Sequence, residues 1–170
     1  MSGTFVYLIT VSRIIPSFIS IILALNRDYV IAAIALIFAV WLDSLVVLAK
    51  KGRAHKIEFQ LQLEGFVDFF SFIISPAIFL LMAEYGFLPV IAAFIFVVSG
   101  IWRISRFNAE GLLGGYYRGL PVTYNGYIVP LAYFSVSILN LNAYQGLIFS
   151  VIMMLSAVLM VSPIKIKEMG

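Results

Sequence analysis

The chain has 170 residues, of which 63% are hydrophobic and only 11% charged, with a mean hydropathy of +1.08. Soluble domains carry charge on roughly a quarter of their residues, so this composition excludes a water-soluble fold and indicates a single integral membrane domain over residues 1–170. With no cysteine, neither a disulfide nor a thiolate metal site is possible.

A membrane-spanning helix needs about 20 apolar residues. Six such stretches fit, at roughly 4–25, 30–49, 59–83, 86–102, 120–141 and 144–163, so the expected fold is an all-α bundle of six transmembrane helices. The first stretch lacks a basic leader and a small-residue cleavage site, and is read as a retained helix. Short links such as Asn26–Tyr29, Glu84–Gly86 and Asn140–Ala143 make successive spans antiparallel neighbours. In the third span Ser71, Ser75 and Pro76 follow two acidic residues, and a kink or local widening is expected there. The longest polar stretch, Arg103–Gly119, holds Asn108, Glu110 and a glycine-rich run. It reads either as an ordinary loop or as a substrate-facing one at the membrane surface.

Lys and Arg mark the cytoplasmic side. Lys50, Lys51, Arg53 and Lys56 fall in the second link, Arg103, Arg106 and Arg118 in the fourth, and Lys165 and Lys167 in the tail. Both termini and the two basic links are therefore expected in the cytoplasm. Topology alone accounts for the net charge of +3, with no nucleic-acid partner. His55 reads as a solvated residue of the basic link.

Asp43, Glu64 and Asp68 lie inside these apolar spans. A charged side chain at mid-helix costs about 2.5–3.5 kcal/mol on insertion scales, so buried carboxylates call for a metal, a proton or a cationic partner. Glu64 and Asp68 are four apart and share a helix face. At about 1.5 Å per residue from the basic link, Asp43 lies about 12 Å up its helix, Glu64 about 9 Å and Asp68 about 15 Å. One pocket beneath a basic rim would hold all three. Oxygen donors of this kind suit Mg²⁺, Mn²⁺ or Ca²⁺, and the basic residues at the rim suit phosphate. The site would then serve phosphoryl-type chemistry on a lipid-linked phosphate. The alternative is that the acids pair with Arg13 or the link lysines and fix helix packing.

The region from Asp43 to Pro76 resembles the CDP-alcohol phosphatidyltransferase family, whose pattern is D-x2-D-G-x2-A-R-x8-G-x3-D-x3-D. Asp43 matches the first Asp, Glu64 the third and Asp68 the fourth. The run Phe69–Ala77, Ser105-Arg106-Phe107-Asn108 and Gly119-Leu120-Pro121 resemble the phosphatidylserine synthase branch, and Thr10-Val11-Ser12-Arg13 resembles the family's first-helix T-x-x-R. Val46 replaces the second Asp, Val47 the Gly, Lys50-Lys51 the Ala-Arg and Gln60 the later Gly.

The resemblance implies transfer of a phosphatidyl or archaetidyl group from a CDP-linked lipid to a small alcohol such as serine, with release of CMP, by a homodimer. It further implies Asp68 as base and metal ligand, Asp43 and Glu64 as further ligands of Mg²⁺ or Mn²⁺, Lys50, Lys51 and Arg53 at the CDP phosphates, and Arg103, Arg106 and Asn108 at the acceptor. The replaced motif residues also motivate a second reading, a non-catalytic partner subunit of the same fold. A third is a cation or proton transporter working through the buried acids.

Overall fold

The computed structural model describes the backbone of residues 3–50, 58–111 and 114–167, and the side chains of 7–48, 58–111 and 114–167. Eight α-helices run through them: α1 Gly3–Ser12, α2 Ile14–Leu25, α3 Tyr29–Lys50, α4 Glu58–Phe69, α5 Ser75–Ala83, α6 Phe87–Glu110, α7 Asn125–Ile138 and α8 Gln145–Val161. A short ribbon pairs β1 (Tyr116–Arg118) antiparallel with β2 (Lys165–Lys167), with Tyr117 opposite Ile166. It brings together the link and the tail that charge assigns to one side.

Helices α1 and α2 are two parts of one apolar span, Tyr7–Leu25, joined at Arg13, whose backbone stays right-handed helical. Pro16 lacks the N–H that would continue the ladder. Side chains serve the carbonyls around the break: Arg13 Nε donates to the Thr10 carbonyl at 3.2 Å, and Ser17 Oγ to the Arg13 carbonyl at 3.0 Å.

The hairpin turns after α2 and after α7 close in the same way. Asp28 N–H reaches the Leu23 carbonyl and Arg27 N–H the Ala24 carbonyl; Leu141 and Asn140 repeat the pair on Val136 and Ser137. This is the Schellman arrangement, which needs a left-handed residue just past the helix. Arg27 (φ 67°) and Asn140 (φ 54°) supply it.

The expected widening past the acidic pair is present. Residues Phe70–Ile74 form a π-helical segment between α4 and α5, where Pro76 withholds an N–H and the Ser75 N–H bonds back to the Phe70 carbonyl. The widened turn aims Ser75 Oγ at the Ser17 carbonyl, 2.8 Å away on α2.

The core lies among α3, the π segment and α5 to α8, and includes Leu36, Val40, Phe72, Phe79, Phe96, Phe149 and Met153. Small residues let the helices approach. A Cβ on Gly126 would collide with Val40 of α3 and stand 3.1 Å from the Phe72 ring. The outer surface is apolar, with Phe18, Trp41, Phe66 and Phe94 all more than half exposed, as an all-α protein facing lipid requires.

Two span expectations change. Among the described residues, five helices are long and apolar enough to cross a membrane, not six. The predicted span 120–141 yields only the 14 residues of α7 after a 3₁₀ turn at Val122–Tyr124, about 21 Å of helix against a hydrocarbon core of about 30 Å. Its start is set by Gly119 (φ 78°) and the extended Pro121, because Gly119 donates its N–H to the Ile164 carbonyl beyond α8 and Leu120 to the Leu159 carbonyl in the last turn of α8. Conversely, the span expected to end at 102 continues as α6 to Glu110. Arg103, Arg106 and Asn108 are therefore helical, not part of a loop.

Candidate active site

Asp43 of α3 and Asp68 of α4 converge on Arg13, at the junction of α1 and α2. The guanidinium Nη1 donates to Asp43 Oδ1, in a very close pair, and to Asp68 Oδ1 at 2.9 Å. Three segments far apart in sequence thus meet at one polar point inside apolar helices. The Arg13 side chain is sealed at 2% exposure, whereas Asp43 and Asp68 keep 18% and 28%. The carboxylates can be reached from outside; the cation that holds them cannot.

Glu64 lies on the same helix as Asp68. One turn before Asp68, it accepts a hydrogen bond from Gln60 Nε2 at 2.8 Å, so the residue standing where the family has a glycine holds the third acid in place along its own helix. Val46, at the second Asp of the family pattern, is buried at 1% exposure.

In the pocket expected from Asp43, Glu64 and Asp68, the Arg13 guanidinium stands between two of the acids. Among the described residues, no group of three or more His, Cys, Asp or Glu is placed to hold a metal ion. Mg²⁺ and Mn²⁺ need several oxygen ligands converging on one point. Here the point shared by Asp43 and Asp68 holds a guanidinium, and Val46 offers no donor. These donors do not fit the Mg²⁺ or Mn²⁺ centre that the resemblance implies.

A cavity of about 300 Å³ opens beside Asp43, between α3, the 3₁₀ turn, the start of α7 and the ribbon. Ser44, Tyr117, Thr123, Tyr124 and Lys167 line it with Asp43. A cavity of about 350 Å³ lies away from Asp43, between α4 and α6, with Gly65, Phe66, Ile104 and Asn108 in its wall.

The three residues expected at the acceptor are not brought together. Arg103 is buried at 5% exposure, donates from Nε to the Leu120 carbonyl at 3.2 Å and lies over the Phe107 and Tyr117 rings at 5.0 and 5.6 Å. Its contact with Tyr117 puts it behind the wall of the cavity beside Asp43. Arg106 instead closes the end of α8, donating to the carbonyls of Met160 and Val161 at 3.0 Å each and of Arg118 at 2.9 Å. The last turn of a helix leaves such carbonyls without intrahelical partners. Asn108 faces the cavity between α4 and α6. Of the phosphate candidates, Lys50 is described in backbone only, and Lys51 and Arg53 lie outside the described residues, as does His55.

Arg13 is the residue that motif counting undervalued. Its signal was present, because an arginine inside an apolar span must find a counter-charge, and the T-x-x-R likeness had singled it out.

Fold and site together define an all-α membrane protein with an arginine–dicarboxylate centre whose Asp43 lines a neighbouring cavity. No protein-family model matches the chain. It is 31% identical over 153 residues to the archaetidylserine synthase of Methanothermobacter thermautotrophicus, an alignment covering 87% of this chain and 63% of that protein. The chain thus spans less than two thirds of that relative's length. This likeness supports the family indicated by the motifs, the CDP-alcohol phosphatidyltransferases, and their phosphatidylserine synthase branch.

Proposed function

We propose that the protein is a transferase of phospholipid biosynthesis that moves a phosphatidyl or archaetidyl group from a CDP-linked lipid to a small alcohol, serine being the first to test, with release of CMP. The likeness to an archaetidylserine synthase carries this reading, and the meeting of Asp43 and Asp68 at Arg13, with Asp43 in the wall of a cavity, supports it. In this reading Asp68, the more exposed of the two carboxylates, accepts the proton of the attacking hydroxyl. Asp43 and Arg13 hold Asp68 in position, and Ser44, Thr123 and Tyr124 orient the alcohol by hydrogen bonds. Lys50, Lys51 and Arg53 meet the phosphates from the cytoplasmic rim.

The test is release of CMP from CDP-linked lipid by the purified full chain in lipid nanodiscs, across a panel of alcohols, with Mg²⁺, with Mn²⁺ and with EDTA. Release with serine that falls by about 10²–10⁴-fold in Asp68→Asn is the expected result. No release with any alcohol under any of these conditions would sink the reading. It would favour the partner-subunit alternative, which Val46 at the second acidic position already motivates.

A further inference from the structure

We propose that Arg13 is the resident cation of this site, so that Asp43 and Asp68 are held together by its guanidinium and not by a divalent ion; the proposal rests on the transferase reading only for what the site is used for. Arg13 is sealed, and one of its nitrogens meets both carboxylates. Its Nε is tied to the Thr10 carbonyl at 3.2 Å, so the helix itself fixes the orientation of the guanidinium. The position that would complete an ion's shell carries buried Val46, and Glu64 accepts a hydrogen bond from Gln60.

A dication brought to the same two oxygens would face Arg13 at close range in a low-dielectric interior, where like charges repel strongly. A guanidinium cannot give up its proton to avoid this. Its donors lie in a fixed plane, and with Nε held by the Thr10 carbonyl the Nη1 group is left to meet both carboxylates. The site therefore assembles as the chain folds, without a chelatable component. Removing the cation should leave two carboxylates that recruit one.

The experiment is Mn²⁺ binding to the full chain in nanodiscs, followed by electron paramagnetic resonance, alone and with CDP, together with thermal unfolding in Mn²⁺ and in EDTA. The wild type is expected to bind no stoichiometric Mn²⁺ and to unfold at the same temperature in both. Arg13→Ala is expected to bind Mn²⁺ at least about tenfold more tightly than the wild type and to be stabilised by it; Arg13→Gln provides the same comparison should the alanine variant not fold. One Mn²⁺ held by the wild type, with or without CDP, and lost in Asp43→Asn or Asp68→Asn would overturn the proposal. So would a folded, charge-deleted variant with no gain in Mn²⁺ affinity. CMP release that requires Mn²⁺ would overturn it while leaving the transferase reading intact. A complete absence of CMP release would overturn that reading, with the Mn²⁺ measurements still deciding the role of Arg13.

Discussion

Arg13 and Asp68 are 55 positions apart in the chain and 2.9 Å apart in the fold. Asp43 joins them from a third segment, so a single side chain ties the first, second and third apolar spans together. A charge inside a membrane protein is tolerated when it is paired, and each member of this triad meets that condition through the others.

Deleting Arg13 should therefore be far more damaging than deleting either acid. Arg13→Ala leaves two carboxylates without their shared partner, and breaking a buried pair on one side destabilises by about 3–5 kcal/mol. Asp43→Asn and Asp68→Asn each leave a matched pair behind and should be milder. Reversible unfolding in mixed micelles of all single and double variants reads this as non-additivity. Additive effects would show that the three do not act as a unit.

Arg106 should prove to be a clamp on α8. Arg106→Ala removes charged hydrogen bonds to the Met160, Val161 and Arg118 carbonyls and should lower stability by about 1.5–3 kcal/mol. Amide exchange should rise at the end of α8, and the KM for the acceptor alcohol in the folded protein should not move. A raised KM with unchanged stability would return Arg106 to the acceptor role assigned from sequence.

Gly126 packs α7 tightly against α3 and the π segment. Gly126→Ala places a methyl group against Val40 and Phe72, and overpacking of this kind costs about 1–3 kcal/mol. Adding Val40→Ala should recover most of the loss. Failure of that second change to rescue would place the close approach elsewhere.

The turn between α2 and α3 holds Arg27 at φ 67°, a conformation that disfavours a side chain by about 1–2 kcal/mol. Arg27→Gly relieves that strain but loses some of the gain to the freer unfolded chain. A net stabilisation of about 0.5–1 kcal/mol is expected, measurable as a higher unfolding temperature. A destabilised variant would mean that the Arg27 side chain makes contacts worth more than the strain.

Local physics made much of this legible in advance. The run of Ser71, Ser75 and Pro76 announced a widened helix because proline removes a donor wherever it stands, and the π segment at Phe70–Ile74 followed. The short link at Asn26–Tyr29 announced an antiparallel turn. The acids at 43, 64 and 68 stand out because charge is rare and costly in apolar sequence. The ribbon from Tyr116 and Lys165 was not foreseen, since three-residue strands distant in sequence carry no periodic signal of their own. Nor was the shortness of α7, because 120–141 is apolar enough to span, and only the bonds of Gly119 to Ile164 and of Leu120 to Leu159 stop the helix from starting there.

By itself, the sequence determined the solvent in which this protein lives, the order of its helices and the residue types from which any site must be built, because hydropathy, turn chemistry and the energetic penalty of buried charge are properties of short segments. Only the tertiary structure decided how the charges are matched. Depth along two helices put Asp43, Glu64 and Asp68 at one level and suggested an ion between them, but depth says nothing about the rotation of a helix or about a third helix entering from the side. Packing of the first span brings Arg13 to both Asp43 and Asp68. Pairwise electrostatics in an apolar interior depends on distances of a few ångströms, which no count along the chain supplies.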